Sequence, residues 1–182
     1  CVYAPDWVNN QKIQVTRVSG ADRYATNRAA ANLGADIWGW NGDWGLDNSV
    51  QLELLGPAKR TAIVATGTGF ADALAAGPVA YGGLPLILTD GASLSASALG
   101  TLQDLDIEQV IIIGGTSAVS DAVRAQITGL GILTGRIAGA NRYATAAAWA
   151  TFVRGDYACA ATAGEFDCGL GRGYRYTVFL AS

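Results

Sequence analysis

The chain contains no histidine. That absence removes the commonest general base, the Ser-His and Cys-His nucleophile pairs, and most zinc sites. Lysine occurs only at Lys12 and Lys59, against ten arginines. Charge is sparse: charged residues make up 15% of the 182, and the net charge is −3. No global field therefore draws the chain to nucleic acid or to a membrane surface. No apolar run reaches the roughly 18 residues of a membrane helix. No charged-then-apolar leader opens the chain, so any signal peptide is expected to have been removed.

What is present is a globular composition, with 51% apolar residues and enough length for one ordinary domain with a core. Of three cysteines, Cys159 and Cys168 flank a short polar segment. Paired, they would staple a surface loop, gain about 2–3 kcal/mol and place the chain in an oxidising, extracytoplasmic setting. Two free thiols are the alternative. Cys1 is the odd one; pairing between chains, lipidation and cross-linking to the 159–168 region all fit.

From residue 61 the chain alternates regularly. TAIVAT (61–66), PLILT (85–89), QVIIIGG (109–115) and ILTGRIAG (132–139) are apolar runs. Between them, GFADALAAGPVAYGG (69–83) has helical spacing at Phe70, Ala73 and Leu74. SASALGTLQDL (95–105) sets Leu99, Leu102 and Leu105 on one side, and SDAVRAQITGLG (120–131) opens on Ser120 as N-cap and stops at glycine. NRYATAAAWATFV (141–153) is a fourth helix. The strands are continuously apolar rather than alternating. That means burial on both faces, as in a parallel sheet covered by helices, joined by right-handed crossovers. The fold class is α/β.

One stretch is written twice. RVSGADRYAT, from Arg17 to Thr26, returns as RIAGANRYAT, from Arg136 to Thr145, with seven of ten positions identical. Each copy reads as a strand end, a turn and a helix start: QVTRVSG enters ADRYATNRAAANLG, and LTGRIAG enters NRYATAAAWATFV. The likeness continues, since YTVFLAS (176–182) follows the second copy at nearly the offset of TAIVAT after the first. Gly- and aromatic-rich insertions, 36–59 and 154–175, follow each copy as loops with room for local hairpins. The chain thus divides into an N-terminal tail (1–12), a partial unit with a Trp-rich insertion (13–60), a complete unit (61–153), and a Cys-containing insertion with the first strand of a following unit (154–182).

RVSGADRYAT, ATGTGFADALAAGP (65–78), PLILTD (85–90), VIIIGGTSAVSDAV (110–123) and RIAGANRYAT, in that order, resemble the type 2 cell wall-binding repeat of Gram-positive surface proteins. The resemblance covers about residues 13–150. It implies a non-catalytic, secreted module, used in tandem, that binds an anionic cell-wall polymer or a peptidoglycan-linked glycan. It also implies a toprim-like α/β unit, and no cofactor. This chain differs in holding one full repeat and in its two insertions. The carboxylates by which a toprim enzyme holds metal are out of place: ATGTG follows the first strand, and the only Asp-x-Asp, Asp104 to Asp106, precedes a strand at the opposite edge. No metal site is expected. Asp72 reads as a complement to a helix N-terminus.

The candidate polymer-binding residues are Arg17, Asp22, Arg23 and Tyr24 in the first copy and Arg136, Asn141, Arg142 and Tyr143 in the second. They fall where strand ends meet helix starts, the edge at which open α/β sheets take ligands. Arginine offers a planar fork of donors to phosphate or carboxylate. The plainer reading is that they stitch loops or join repeats. Gly114, Gly115, Thr116 and Ser117 form a candidate anion-binding helix start, or an ordinary capped turn. Trp38, Trp40 and Trp44, among glycines, suit sugar stacking or an interface. A second functional reading is a self-assembling subunit of a filament or surface layer, with YTVFLAS and the Trp-rich insertion making contacts between copies.

Overall fold

In the computed structural model, residues 15–38, 49–50, 59–81 and 83–154 are described. The chain runs α1 (Arg23–Trp38), β1 (Ser49–Val50), β2 (Lys59–Thr66), α2 (Phe70–Tyr81), β3 (Leu86–Thr89), α3 (Ala96–Asp104), β4 (Gln109–Ile113), α4 (Asp121–Gly129), β5 (Leu133–Ile137) and α5 (Arg142–Arg154). The four apolar runs form a parallel sheet in the order β3-β2-β4-β5, and β1 pairs antiparallel with the start of β2.

Neighbouring residues of one strand feed opposite cores. Ala62 and Val64 of β2, with Val110 and Ile112 of β4, join a cluster that takes in Leu102 of α3 and Val123 and Ile127 of α4. Ile63, Ile111 and Ile113 point the other way, to Ala76 and Val79 of α2 and Trp149 of α5. This two-sided burial is why the strands read as unbroken apolar runs. Gln109, at the start of β4, is 1% exposed and donates to the Thr61 hydroxyl at 2.6 Å. Ser95 and Ser120 cap α3 and α4 by accepting from Ala98 N and Val123 N.

The helices of the two copies lie on opposite faces. Ala31 and Ala35 of α1 pack on the cluster that holds α3 and α4, whereas Trp149, Phe152 and Val153 of α5 pack with α2. Asn27 ties α1 to the edge of β3: its amide donates to Leu86 O and its carbonyl accepts from Leu88 N, both at 2.8 Å. The side chain thus supplies the pairing that a further strand would. Arg28 and Asn32 of α1 both bond the Asp104 carboxylate at the end of α3.

Two expectations from the sequence are corrected, and one helix turns an unexpected side outward. Residues 15–20, the counterpart of β5, form no strand, and Val15 is 90% exposed. A strand needs a neighbour; β5 has β4, with Thr134 set against Val110, and the first copy has no such partner among the described residues. Helix α1 passes Gly34 and runs on to Trp38, because Ala35 beyond it still has core to pack on. Phe70 and Leu74 lie outward, 74% and 69% exposed, while α2 buries Ala76 and Val79. Trp40, Trp44, Cys159 and Cys168, the Trp38 side chain and the strand expected at 176–182 lie outside what is described.

Leu102 is 1% exposed between α3 and the sheet. We predict that Leu102→Ala lowers stability by about 2–5 kcal/mol through the cavity it leaves. Urea denaturation should show a lower midpoint with an unchanged slope.

Candidate functional site at the strand ends

The repeated stretch is first of all a way to start a helix, directly after β5 in the second copy and after residues with no strand pairing in the first. In the first copy the Asp22 carboxylate accepts from Ala25 N at 2.7 Å, and the Gly20 N–H donates to the Thr26 hydroxyl at 2.9 Å. In the second, Asn141 Oδ1 accepts from Ala144 N at 2.9 Å, and Gly139 N–H donates to Thr145 at 3.0 Å. Asp and Asn are interchangeable here because only an acceptor oxygen is needed. Glycine is required for space: a β-carbon on Gly20 or Gly139 would run into the backbone of Ala25 or Ala144. Four of the ten letters are thereby explained by local capping.

The two arginines of each copy reach in different directions, and among the described residues each copy has one of them hydrogen-bonded. Arg136 is largely buried, donates to Gly114 O at 2.7 Å and meets the Asp121 carboxylate at 3.4 Å. Its counterpart Arg17 is exposed. Arg23 donates to Gly67 O at 2.7 Å, and the Tyr24 ring lies so close over Gly67 that a β-carbon there would strike it. Their counterparts Arg142 and Tyr143 are exposed, the tyrosine to 74%.

The remaining groups fill the same edge. Gly114 has a φ of +107°, so glycine suits the turn. Its N–H donates to Ile137 O at 3.0 Å. Gly115 O accepts from Ala118 and Val119, and Thr116 and Ser117 are exposed. The adjoining α4 carries Asp121 in its first turn and the Ser120 cap. Asp90 accepts from Ala92 N at 2.8 Å. Asp72, half-buried in the first turn of α2, lies beside Gly114. Burial pushes its carboxyl above the ordinary 3.8, and the Arg142 guanidinium draws it back. Asp104 and Asp106 sit at the opposite edge; Asn32 and then Arg28 hold the Asp104 carboxyl below the usual range, and Asp106 meets Arg60 at 3.3 Å. Sequence reasoning missed Gly67 and Asn27. The ATGTG glycines were a signal for the first; nothing marked the second.

The chain belongs to the cell wall binding domain 2 (CWB2) family, whose match spans residues 17–124 and so begins at the first arginine of the repeated stretch. It is 46% identical over 134 residues to N-acetylmuramoyl-L-alanine amidase LytC of Bacillus subtilis (strain 168), a match covering 73% of this chain and 23% of that protein. Among solved structures it is similar to Cwp8 from Clostridium difficile, with TM-score 0.53 and 28% identity over 76% of this chain and 20% of that one. Cwp6 from Clostridium difficile shares the fold, with TM-score 0.52 and 23% identity over 70% of this chain and 17% of that one. The chain spans under a quarter of the length of each.

Two outcomes test this geometry. Gly139→Ala should cost about 1–3 kcal/mol by forcing the turn off the helix, and Thr145→Val should also destabilise, by leaving the Gly139 N–H without its acceptor; thermal melts report both. Asp72 titrates higher folded than unfolded, so the folded state binds more protons between the two values and its stability falls as pH rises through them. Asp72 therefore supports the fold best below its unfolded value. The stability of Asp72→Asn relative to the unaltered protein should rise as pH is raised through and above the ordinary carboxylate value of 3.8, as read by urea midpoints.

Proposed function

We propose that the chain is a non-catalytic module that attaches its protein to the bacterial cell wall by contacting an anionic wall glycopolymer. The family match over residues 17–124 carries this reading. It supports a cell wall or cell-surface location, and with it secretion. The amidase activity in the LytC name is said of a protein of which this chain covers 23%. Attachment rather than cleavage is supported by the lack of any histidine.

Of the eight residues put forward from the sequence, Asp22 and Asn141 serve as caps, Arg136 is tucked under Gly114, and Tyr24 covers Gly67. Arg17, Arg23 and Arg142 keep exposed side chains at or beside the strand ends, and in this reading they contact the polymer. Arg23 bonds Gly67 O through one nitrogen, leaving the rest of its donor fork to the solvent side. With a net charge of −3, attraction to a polyanion is local rather than global.

Pull-down on isolated Gram-positive walls tests this. Arg23→Ala or Arg142→Ala should weaken binding roughly tenfold each, a loss of about 1.4 kcal/mol, and rising salt should weaken the unaltered protein too. Unchanged binding in both variants would remove the arginines from the site; no binding by the unaltered protein would sink the function.

A further inference from the structure

The order of the sheet opens a crevice between β2 and β4. Chain leaving β2 passes through α2 to β3 on one side, and chain leaving β4 passes through α4 to β5 on the other. Helices α2 and α4 consequently lie on opposite faces, α2 with Ile63 and Ile111, α4 with Ala62 and Val110. The turns after β2 and β4 therefore part company, at the place where open parallel sheets take their ligands. Both turns are rich in glycine, TGTG (66–69) and GGTS (114–117). A β-carbon on Gly115 would meet nothing within 4 Å, and one on Gly69 only the Thr66 methyl at 3.7 Å. Asp72, in the first turn of α2, leans across to the far side: a β-carbon on Gly114 would come within 2.6 Å of its Oδ2. Among the described residues this carboxylate has no hydrogen bond and no ion pair, although the Arg142 guanidinium is near enough to attract it. A half-buried carboxylate without a donor costs the fold stability. Asp72 is thus held, at that cost, across the mouth of the crevice.

We propose that this crevice takes a neutral unit of the wall polymer that carries adjacent hydroxyls, a sugar ring or a polyol, with two of those hydroxyls donating to Asp72; the proposal rests on the wall-polymer reading above and adds what is recognised between the anionic groups. The chemistry selects that class. A carboxylate only accepts, so its partner must bring donors. A phosphodiester or a carboxylate brings none and would meet the Asp72 charge at close range. An ammonium group would meet the Arg142 charge beside it. Adjacent hydroxyls can reach both oxygens of one carboxylate together. They also accept, which suits Arg142 at the rim and the exposed hydroxyls of Thr116 and Ser117 on the far turn. Their bonds favour the charged form of Asp72 and so offset the burial that disfavours it. The arginines thus draw in the anionic groups, and the crevice selects the unit between them. Such a site gives selectivity to a chain whose net charge of −3 provides no general attraction to a polyanion.

Saturation-transfer NMR of the purified chain, with ribitol in one arm and N-acetylglucosamine in the other, reads the crevice without any wall and separates polyol from sugar ring. At least one probe should give a signal. Asp72→Asn should cut it roughly tenfold while melting no lower than the unaltered protein at pH 7, which a merely structural role for Asp72 would not produce. Gly115→Leu fills the crevice from a position with open space around it and should cut the signal as far, with thermal melts checking that it folds. Asp106→Asn, at the opposite edge of the sheet, should leave the signal whole. On isolated walls, Asp72→Asn should bind more weakly than the unaltered protein, and the deficit should persist in high salt, where attraction to the arginines is screened. Two results overturn the proposal: no signal from either probe in a chain that binds walls, or a signal that survives Asp72→Asn and a folded Gly115→Leu. A signal that depends on Asp72 in a chain that binds no wall would sink the wall reading and leave the crevice as a sugar or polyol site, so the two readings fail separately.

Discussion

A helix that starts within a few residues of a strand's end has free N–H groups to satisfy and almost no chain with which to do it. Here the solution is a backbone folded onto the helix's first turn. The Gly139 N–H reaches the Thr145 hydroxyl while Asn141 accepts from Ala144 N. Both bonds demand the absence of a side chain at Gly139 and a small one at Ala144. This constraint fixes where α5 leaves the sheet. It thereby fixes that Trp149 lands against α2 and that Arg142 stands beside Asp72. The same cap in the first copy launches α1 toward β3 and α3. What differs is the surface each helix then meets, not the way it starts.

The sheet was legible in the sequence because burial on two faces leaves no polar alternation to interpret. The runs at 61–66, 85–89, 109–115 and 132–139 became β2, β3, β4 and β5 within two residues at each end. Legibility failed where structure depends on a distant partner. The run before Arg17 reads like the one before Arg136, yet only the latter has a β4 beside it. Phe70 and Leu74 have the spacing of a buried face, but two smaller residues, Ala76 and Val79, take that place; periodicity locates a stripe and does not say which stripe the sheet covers. At the site, the arginines and tyrosines were visible as a repeated pattern. Their carbonyl partners were not, because a backbone oxygen on Gly67 or Gly114 has no letter in the sequence.

The division of labour within the ten letters follows from which bonds are local. Glycine, the Asp or Asn, the alanine and the threonine are all consumed within one turn of their own helix. Those groups would be needed wherever such a helix began, with or without a neighbour. The arginines and the tyrosine are different. Where they are engaged, their partners lie on other elements: Gly114 beyond β4, and Gly67 beyond β2. Within this chain they are unchanged between copies, while the flanks that meet the sheet vary freely, Asn27 against Ala146 and Ala30 against Trp149.

The choice of arginine for this reach has a physical consequence. Its acceptors here are neutral carbonyls at the ends of parallel strands, and a guanidinium stays charged at any pH the fold tolerates. Contacts of this kind are charge-assisted on one side only, so they escape the heavy desolvation of a buried ion pair. They also hold through acidification that would protonate a carboxylate partner. Asp121 is the exception, and it meets Arg136 from an exposed position at 3.4 Å, where the attraction is weak. The joint is thus built so that its strong bonds do not titrate. Asp72, beside Gly114, carries a proton more readily because it is half-buried. Acid therefore leaves the arginine–carbonyl ties in place and relieves Asp72 of a charge that its burial disfavours.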